Sequence, residues 1–500
     1  MASAVKADRA RTQERDVARR PGDADGGSAA PRPLPWRSSA AAVSTAALIA
    51  SDVVAFAMAA AVATLARFVL RGPMPLSPGV WIGGGVLWLA LRAHSRLYPG
   101  FGLAPPEELR RSTVTTFVAA LGQAATLFAL KEVGASRFLT LGTWLLLAPL
   151  AWLFRRATTH ALLRLRLFGY PAIVAGSGRE ALAVRALRAN PDRGLVPVAI
   201  FDDNPTRHGT YVEGVPVLGS LSDALDWRFA YPVRHAVLAV SDAGERFAAL
   251  AQTIARRYPT LEVLPELAGI ANLCVHARPL GAYIALEVEH ARFNARKRRL
   301  KRAFDFVLGV PLFVASLPII AFAALLVKLF SPGPAFFWQP REGLDGRRIR
   351  VWKIRTMVPD AEGRLAHHLS TDATARTHWE QFLKLRRDPR VIPKVGALLR
   401  RSSIDELPQL WNVVAGQMSL VGPRPFPDYH LERFPAAFRE LRRQVPPGIT
   451  GLWQITHRSD GDLGLQESSD SYYIQNWSIW LDIWILLRTV AVVVSAKGAY

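Results

Sequence analysis

Two adjacent carboxylates, Asp405 and Glu406, follow an arginine pair and precede a proline within the stretch 400–408, which reads RRSSIDELP. Proline is tolerated only in the first turn of a helix. The sequence therefore predicts a helix that begins close to Glu406, or slightly earlier if Ser403 and Glu406 form a capping box. Either start places both carboxylates at a helix N-terminus, where the helix dipole is expected to keep Asp405 ionised.

An ionised carboxylate beside arginines is suited to phosphoryl chemistry. It can attack phosphorus to give an acyl-phosphate, or it can bind a Mg²⁺ ion that bridges a diphosphate. The planar guanidinium of arginine matches the oxygens of a phosphate. For an isolated Asp-Glu pair, a helix cap with surface ion pairs would be the commoner explanation.

The motifs around this pair favour the chemical interpretation, because they resemble those of the bacterial sugar transferase family, the monotopic polyprenyl-phosphate phosphoglycosyl transferases. The resemblance covers roughly residues 300–500, with the motifs in the family's order. The motifs are KRAFD at 301–305, Gln339-x-Arg341-x-Gly343, KIRTM at 353–357, SIDELPQLWN at 403–412, GQMSLVGPRP at 416–425 and PGITG at 447–451.

The resemblance implies a two-step transfer in which Asp405 is the nucleophile. Asp405 would attack the β-phosphate of a UDP-sugar, release UMP and form a sugar-phosphoryl-aspartate, which undecaprenyl phosphate would then attack. Glu406, with Asp405 as a second contact, would hold Mg²⁺. The residues that would bind phosphate or substrate are Arg400, Arg424, Arg341, Lys353 and Arg458. Asp470 also falls in a family motif, without an assigned role.

The expected product is undecaprenyl-diphosphate-sugar, the first intermediate of O-antigen, capsule or exopolysaccharide synthesis. Galactose is the favoured hexose and glucose the next, and a homodimer is expected. Two alternatives belong to other classes. A membrane-bound nucleotide-sugar dehydratase would need a Tyr-x-x-x-Lys pair, and no tyrosine here has a lysine four residues later. A non-enzymatic membrane scaffold would not need the Asp-Glu pair.

The composition indicates a membrane protein. The chain has 500 residues, of which 50% are hydrophobic, and a net charge of +22. It contains no recognisable nucleic-acid module, so the basic excess is expected to face anionic membrane lipids. The single cysteine, Cys274, excludes an intramolecular disulfide and is compatible with a reducing cytoplasm.

The N-terminal part divides into a disordered basic tail, residues 1–37, and a four-helix transmembrane bundle, residues 38–157. Its apolar runs lie at about 40–70, 79–95, 112–130 and 137–154, each near the ~20 residues that cross a bilayer. Basic residues are concentrated in the second loop and after the fourth run, which predicts that both ends of the bundle are cytoplasmic. These residues are Arg92, Arg96, Arg110, Arg111, Arg155, Arg156, Arg164 and Arg166.

Residues 158–300 are predicted to form a Rossmann-like α/β domain. Strands are expected at 172–175, 197–203 and 235–240, and a short glycine loop, Gly176-Ser177-Gly178, follows the first strand. In such a fold the loop can hold a pyrophosphate at a helix N-terminus. The fingerprint is short, so a structural role is favoured over ligand binding.

The remaining chain is predicted to be a re-entrant membrane helix, residues 301–332, and a mainly α-helical catalytic domain, residues 333–500. The basic cluster 296–302 is expected to bind lipid headgroups. Pro311 and Pro318 would kink the helix so that it returns to the cytoplasmic face of the bacterial inner membrane. Family members have a Ser-Pro break, whereas the order here is Ser316-Leu317-Pro318. The last apolar stretch, from Asn476 with Asp482 in it, predicts a helix lying in the membrane interface.

Overall fold

The computed structural model describes residues 34, 36, 39–72, 78–129, 137–240, 245–264, 275–280, 283–288, 294–382, 385, 388–456 and 463–494. Most of the predicted tail, Cys274 and Arg458 lie outside these residues. Two units are distinguished, one of Met1–Ala47 with Thr159–Glu266 and one of Leu48–Thr158 with Leu267–Tyr500.

Leu34 was predicted to be disordered. Instead, its amide donates to the carbonyl of Val198 at 3.0 Å, because it extends the packing of the α/β unit.

The four predicted apolar runs form helices. These are α1 (Ala40–Arg71), α2 (Pro78–His94), α3 (Pro105–Ala129) and α4 (Arg137–Arg164). Three of them, together with the later helix Ala295–Phe330, are long and apolar enough to cross a membrane. Helix α2 has 17 residues, slightly fewer than the ~20 of a typical crossing.

A polar cluster lies inside the bundle. Asp52 of α1 and Arg92 of α2 form a fully buried ion pair with 2.8 Å between Oδ2 and Nε, and Arg92 also donates to Ser112 of α3 at 2.8 Å. Arg155 of α4 pairs with Glu108 of α3. Two arginines that the topology prediction assigned to loops are therefore neutralised within the bundle.

The Rossmann-like prediction is confirmed by a six-stranded sheet in the order β3-β4-β2-β1-β5-β6. Neighbouring strands are parallel except for β3, which pairs antiparallel with β4. The predicted strands are β1 (Tyr170–Ser177), β2 (Leu195–Asp202) and β5 (His235–Val240). The others are β3 (Tyr211–Val212), β4 (Val215–Gly219) and β6 (Thr260–Leu264), with helices α5 (Glu180–Ala189), α6 (Asp223–Asp226) and α7 (Glu245–Arg257).

An antiparallel pair, β7 (Val275–Leu280) and β8 (Tyr283–Val288), precedes the longest helix, α8 (Ala295–Phe330). Helix α8 runs without interruption through Pro311 and Pro318, so the predicted entry and return are not made by two separate helices. Ser316 retains a serine-to-backbone contact despite its displaced position, because its Oγ donates to the carbonyl of Phe313 at 2.7 Å.

The C-terminal domain is mainly helical, with short strands. Its elements are β9 (Phe336–Glu342), β10 (Arg348–Ile354), α9 (Ala361–Thr371), α10 (Ala373–Phe382), α11 (Val395–Arg401), α12 (Gln409–Val414), β11 (Ser419–Val421), α13 (Asp428–Leu431), α14 (Ala436–Arg443), β12 (Gly448–Thr450), α15 (Leu452–Thr456), α16 (Leu463–Gln475) and α17 (Ile479–Val494). Strands β9 and β10 form an antiparallel hairpin, and β11 pairs parallel with β12. One apolar core joins β10, α12, β11 and α17.

Two expectations for charged residues of this region are wrong. Asp482 was expected to interrupt an interfacial helix, but it is fully buried and accepts a hydrogen bond from Lys301 at 2.7 Å. Lys301 and Arg302 were assigned to lipid headgroups with the rest of the basic cluster, but both donate to groups of the C-terminal domain. The apolar face of α17, with Leu481 and Ile485, packs into the domain core.

Candidate active site

The Asp405-Glu406 pair lies in a tight turn before the helix rather than in its first turn. Ile404–Glu406 form one turn of 3₁₀-helix, and α12 begins at Gln409 with Pro408 as its N-terminal flanking residue. Ser403 has a positive φ of 57° and its side chain makes no capping hydrogen bond. The predicted helix start and the capping box are therefore wrong.

Glu406 is held by two cations from different parts of the domain. Its Oε1 lies 2.8 Å from the Nζ of Lys353, at the end of β10, and 2.6 Å from a terminal nitrogen of Arg424, which follows β11. Burial alone would raise the pKa of Glu406, but Arg424 and Lys353 together lower it below its ordinary value. Glu406 is therefore ionised and fixes both cations beside the turn.

Asp405 has the opposite environment. It is 8% exposed, and among the described residues no hydrogen-bond donor contacts its carboxylate. Burial, reinforced by the charge of Glu406, raises the pKa of Asp405 to about 6, although Lys353, Arg400 and Arg424 act in the other direction. The helix dipole was expected to keep Asp405 ionised, but the helix begins only at Gln409, and the groups that favour the charged form are Lys353, Arg400 and Arg424. The result is a desolvated carboxylate that carries charge at neutral pH.

Arg400 approaches the pair from α11. Its Nε donates to the hydroxyl of Thr356 at 3.1 Å, and its guanidinium lies 3.9 Å from Asp388. Asp388 is itself bound by Arg390 through two side-chain contacts of 2.8 and 2.7 Å. Sequence reasoning did not identify Asp388, because only the folded loop brings it to Arg400.

Arg442 and Asp470 support the segment that carries Arg424. Arg442 donates both to Asp470 and to the backbone carbonyl of Arg424, and its guanidinium stacks 4.7 Å from the ring centre of Phe426. Asp470, left without a role by the sequence, therefore acts through Arg442. No sequence pattern identified Arg442.

Arg341, on β9, has its pKa lowered mainly by burial, and Arg424 and Asp428 are its charged neighbours. It shares one face of the β9–β10 hairpin with Lys353, because its pairing partner Ile349 and Lys353 lie four residues apart on β10. The structure thus brings Asp405, Glu406, Lys353, Arg400, Arg424 and, next to Arg424, Arg341 to one region. Arg458 lies outside the described residues.

The two carboxylates are suited to bind a divalent cation whose remaining ligands come from the substrate and from water. No cluster of three acidic, histidine or cysteine ligands occurs among the residues that the structure describes. Mg²⁺, however, is commonly bound by one or two carboxylates together with substrate phosphates and water. The carboxylate of Asp405, which receives no hydrogen bond from the described part of the chain, is the available protein ligand, and Glu406 Oε2 has only a 3.4 Å contact with Arg424.

Comparison with known proteins identifies two families in this chain. The family described as "Bacterial sugar transferase" matches residues 296–496, which include the whole site. The family described as "CoA-binding domain" matches residues 102–261, which include five strands of the six-stranded sheet and the start of β6.

Individual relatives match the chain over different shares of its length. The "UDP-galactose-lipid carrier transferase" of Erwinia amylovora is 32% identical over 83% of this chain and 86% of its own length. The "Undecaprenyl-phosphate galactose phosphotransferase" of Salmonella typhimurium is 30% identical over the same shares. The "Exopolysaccharide production protein ExoY" of Sinorhizobium fredii is 36% identical over 40% of this chain and 88% of its own length.

The glycine loop of the α/β unit does not fit the diphosphate of coenzyme A. The amide of Gly178 donates to the carboxylate of Glu180 at 2.9 Å, and Glu180 is 1% exposed. The chain's own carboxylate thus occupies the end of α5 where a phosphate would be bound. Gly176 is required for packing, because a Cβ there would lie 2.2 Å from the carbonyl oxygen of Ala239. Both observations agree with the structural role predicted for this loop.

Proposed function

The chain belongs to the bacterial sugar transferase family, and on that premise we propose that it transfers a hexose-1-phosphate from a UDP-sugar to undecaprenyl phosphate. The observation that carries the proposal is the contrast within the Asp405-Glu406 turn. One carboxylate is buried without a hydrogen-bond donor among the described residues, and its neighbour is fixed by Lys353 and Arg424. This arrangement presents a nucleophile beside cations that can bind phosphate oxygens.

In the proposed first step, a carboxylate oxygen of Asp405 attacks the β-phosphorus of the UDP-sugar. The bond between that phosphorus and the bridging oxygen breaks, and UMP leaves with the bridging oxygen and its electron pair. The product on the enzyme is a sugar-phosphoryl-aspartate. In the second step, a phosphate oxygen of undecaprenyl phosphate attacks the same phosphorus, and the carboxylate of Asp405 is released unchanged.

The surrounding side chains stabilise charge and orientation in both steps. Arg424 and Lys353 lie next to Glu406 and can bind the oxygens of the transferred phosphoryl group. Arg400 is held by Thr356, so its guanidinium can contact the diphosphate from the side of α11. Arg341 is proposed to bind a nucleotide or lipid phosphate. Burial desolvates Asp405, which strengthens its attraction to each of these cations.

Asp405 and Glu406 would hold a divalent cation, proposed to be Mg²⁺, together with the substrate diphosphate. Such an ion neutralises charge on the diphosphate and on the leaving phosphate. Galactose is the proposed sugar, in agreement with the names of the two long relatives, and glucose is the alternative. Synthesis of O-antigen, capsule or exopolysaccharide is the proposed role of the product.

The contacts of α8 support a catalytic domain on one side of the membrane. Near its start, Lys301 contacts β11 and α17. Near its end, Ile320, Ala323 and Val327 pack with α11 and β10. Residues 301 and 327 are about 39 Å apart along a straight helix, more than the ~30 Å hydrocarbon core. A domain that contacts both ends is not compatible with a full crossing, so we propose that α8 anchors the domain at the cytoplasmic face of the inner membrane.

The decisive experiment measures UMP release by the purified full-length protein from a panel of UDP-sugars, with and without undecaprenyl phosphate. Asp405→Asn should reduce release by roughly three orders of magnitude or more. Asp345→Asn, the same change at an exposed position of the same domain, should leave the rate unchanged.

A folded Asp405→Asn variant with near-normal turnover would refute the proposed nucleophile. Absence of UMP release from every sugar by the wild-type protein would instead favour the membrane scaffold. Oxidation or dehydration of the sugar without UMP release would favour the dehydratase.

A further inference from the structure

Lys301 and Arg302, adjacent residues near the start of α8, direct their charged groups toward the catalytic domain. Lys301 is 9% exposed, whereas Arg298 and Arg299, one turn earlier, are exposed. A buried ammonium is costly unless hydrogen bonds and opposite charges compensate it. For Lys301 these groups are Asp482 of α17, Asp305 one turn later on α8 at 3.4 Å, and a backbone carbonyl of β11, the strand that leads to Arg424.

Lys301 contacts the strand that leads to Arg424. Its Nζ donates to the carbonyl of Val421, the last residue of β11, at 3.0 Å. The hydroxyl of Tyr473 lies 2.9 Å from the same carbonyl oxygen and 2.8 Å from a carboxylate oxygen of Asp482, so its one hydrogen is shared between them. Asp305, one turn later on α8, accepts the amide of Leu420 at 3.1 Å. Helix α8 therefore contacts two neighbouring residues of β11, through the amide of Leu420 and the carbonyl of Val421.

The chain between Val421 and Arg424 has little freedom to absorb a displacement. The amide of Gly422 donates to Thr450 at 2.9 Å, and the carbonyl of Pro423 accepts from Gly448 at 2.9 Å. A Cβ at Gly422 would lie 2.6 Å from the carbonyl oxygen of Pro446. The segment from Val421 to Arg424 is therefore held between α8 and the β12 segment, and Arg424 at its end contacts Glu406.

Asp482 completes the lysine site. Its two carboxylate oxygens accept from Tyr473 at 2.8 Å, from Lys301 at 2.7 Å and from Trp477 at 3.0 Å. This satisfied carboxylate holds the ammonium of Lys301 in place beneath β11.

Arg302 contacts the other half of the active site. Its two terminal nitrogens donate to the carbonyls of Val413 and Val414, at 2.6 and 2.8 Å. These carbonyls end α12, the helix that follows the Asp405-Glu406 turn. An arginine at this position binds the last carbonyl groups of the helix, one of which, that of Val413, also accepts the amide of Gly416 at 3.0 Å.

We propose that Lys301 and Arg302 are positioning residues of the transferase reaction, through which α8 sets the distance between the Arg424 segment and the Asp405-Glu406 turn. This inference rests on the proposed function. Two neighbouring residues of one rigid helix hold the two segments, so their spacing is set by the helix itself. The same residues also connect the helix that anchors the domain in the membrane with the segments that carry Arg424 and the Asp405-Glu406 turn.

The test uses the full-length protein in membranes or detergent and compares Arg302→Met, Arg302→Lys and the double variant Lys301→Met/Asp482→Asn. The double variant removes the ammonium together with the carboxylate that it contacts most closely, while Asp305, which lies 3.4 Å from Lys301, keeps its hydrogen bond from the amide of Leu420. Lys328→Met is the matched control, since Lys328 lies on the same helix and is exposed. For each variant, kcat, KM for the UDP-sugar, the pH dependence of UMP release and the unfolding temperature are measured.

Arg302→Met and the double variant should lower kcat by roughly tenfold to a hundredfold with a smaller change in KM. Their activity should reach half its maximum at a higher pH than in the wild type, because a displaced Arg424 supports the charge of Asp405 less well. Arg302→Lys should restore part of kcat, and Lys328→Met should match the wild type.

Wild-type kcat and pH dependence in either folded variant would overturn the proposal. If the double variant does not fold, Arg302→Met decides. An inactive wild-type protein would refute the proposed function instead.

Discussion

At the scale of single residues, Asp405 and Glu406 differ because of what surrounds each of them, not because of where they stand in the sequence. Glu406 is paired with two cations, and Asp405 is left to the effects of burial and of its neighbour's charge. Pairs of acids whose environments separate their pKa values are common where one group must react and the other must hold charge. The turn therefore assigns two different tasks to chemically similar side chains.

The raised pKa of Asp405 predicts how activity depends on pH. Only the ionised carboxylate is a nucleophile, so the first step should be fast above pH 6 and should decline as the pH falls through about 6. The measurement is the burst of UMP, one equivalent per enzyme, released without undecaprenyl phosphate. Omitting the acceptor is necessary because phosphate monoesters also titrate near pH 6. A burst whose rate stays constant between pH 5 and 8 would contradict this assignment.

Lys353→Met should move that pH dependence upward. The ammonium of Lys353 lowers the pKa of Asp405, so its removal should raise the half-maximal pH of the burst by roughly one unit. Arg347→Met removes a positive charge from an exposed position of the same hairpin and should cause no shift. Equal shifts in both variants would mean that the shift comes from the loss of one positive charge anywhere in the hairpin. It would then not depend on the position of Lys353 beside Glu406.

Through its resemblance to the family, the sequence indicated which candidate residues lie together better than it indicated their surroundings. Asp405, Glu406, Lys353, Arg400 and Arg424 were all predicted, and the fold places them in one region. Their pKa values were not predictable from the sequence, because burial and the contact between Lys353 and Glu406 depend on chain segments 53 residues apart. Asp388 and Arg442 were missed for the same reason.

At the scale of elements, α8 and α17 show how one contact changes an interpretation. An aspartate within an apolar stretch is a reasonable sign of an interfacial helix. Asp482, however, is paired with Lys301, 181 residues earlier in the chain, and hydrophobic patterning carries no information about such a partner. The existence of both helices was predictable, and the direction of their charged groups was not.

The proposed anchoring of α8 predicts that both of its ends face the cytoplasm. Cysteines at Arg299 and Pro332, both exposed positions, in a Cys274→Ser background should resist an impermeant thiol reagent added to intact cells. Both should react after permeabilisation. A cysteine at Lys131, in a loop that the charge bias assigns to the outside, should react in intact cells. Labelling of the Pro332 position alone in intact cells would show that α8 crosses the membrane.

At the scale of the whole molecule, the residues assigned to catalysis all lie beyond position 340, and the glycine loop of the α/β unit is occupied by Glu180. A relative that aligns over 88% of its own length matches only 40% of this chain. It therefore remains a prediction that the α/β unit takes no part in the transfer reaction. The position of Glu180 in the glycine loop supports this prediction. We expect the α/β unit to serve assembly or regulation rather than chemistry.

A fragment that begins near Arg296 should accordingly release UMP in the presence of a UDP-sugar and undecaprenyl phosphate. It should unfold at a lower temperature than the full chain, since α17 loses its contact with α3 of the bundle. The assay compares kcat and unfolding temperature of fragment and full chain, with Asp405→Asn in the fragment as the inactive control. A folded, membrane-bound fragment without activity would show that the N-terminal units take part in the reaction.

The buried pair of Asp52 and Arg92 has a consequence for how the protein reaches its membrane. An aspartate near the middle of a helix opposes insertion by about 3 kcal/mol when it enters lipid alone. Because Arg92 is its direct partner, α1 and α2 are best released from the translocon together, as a preformed hairpin. Biogenesis of this enzyme would then depend on synthesis of α2 being complete before α1 enters the lipid phase.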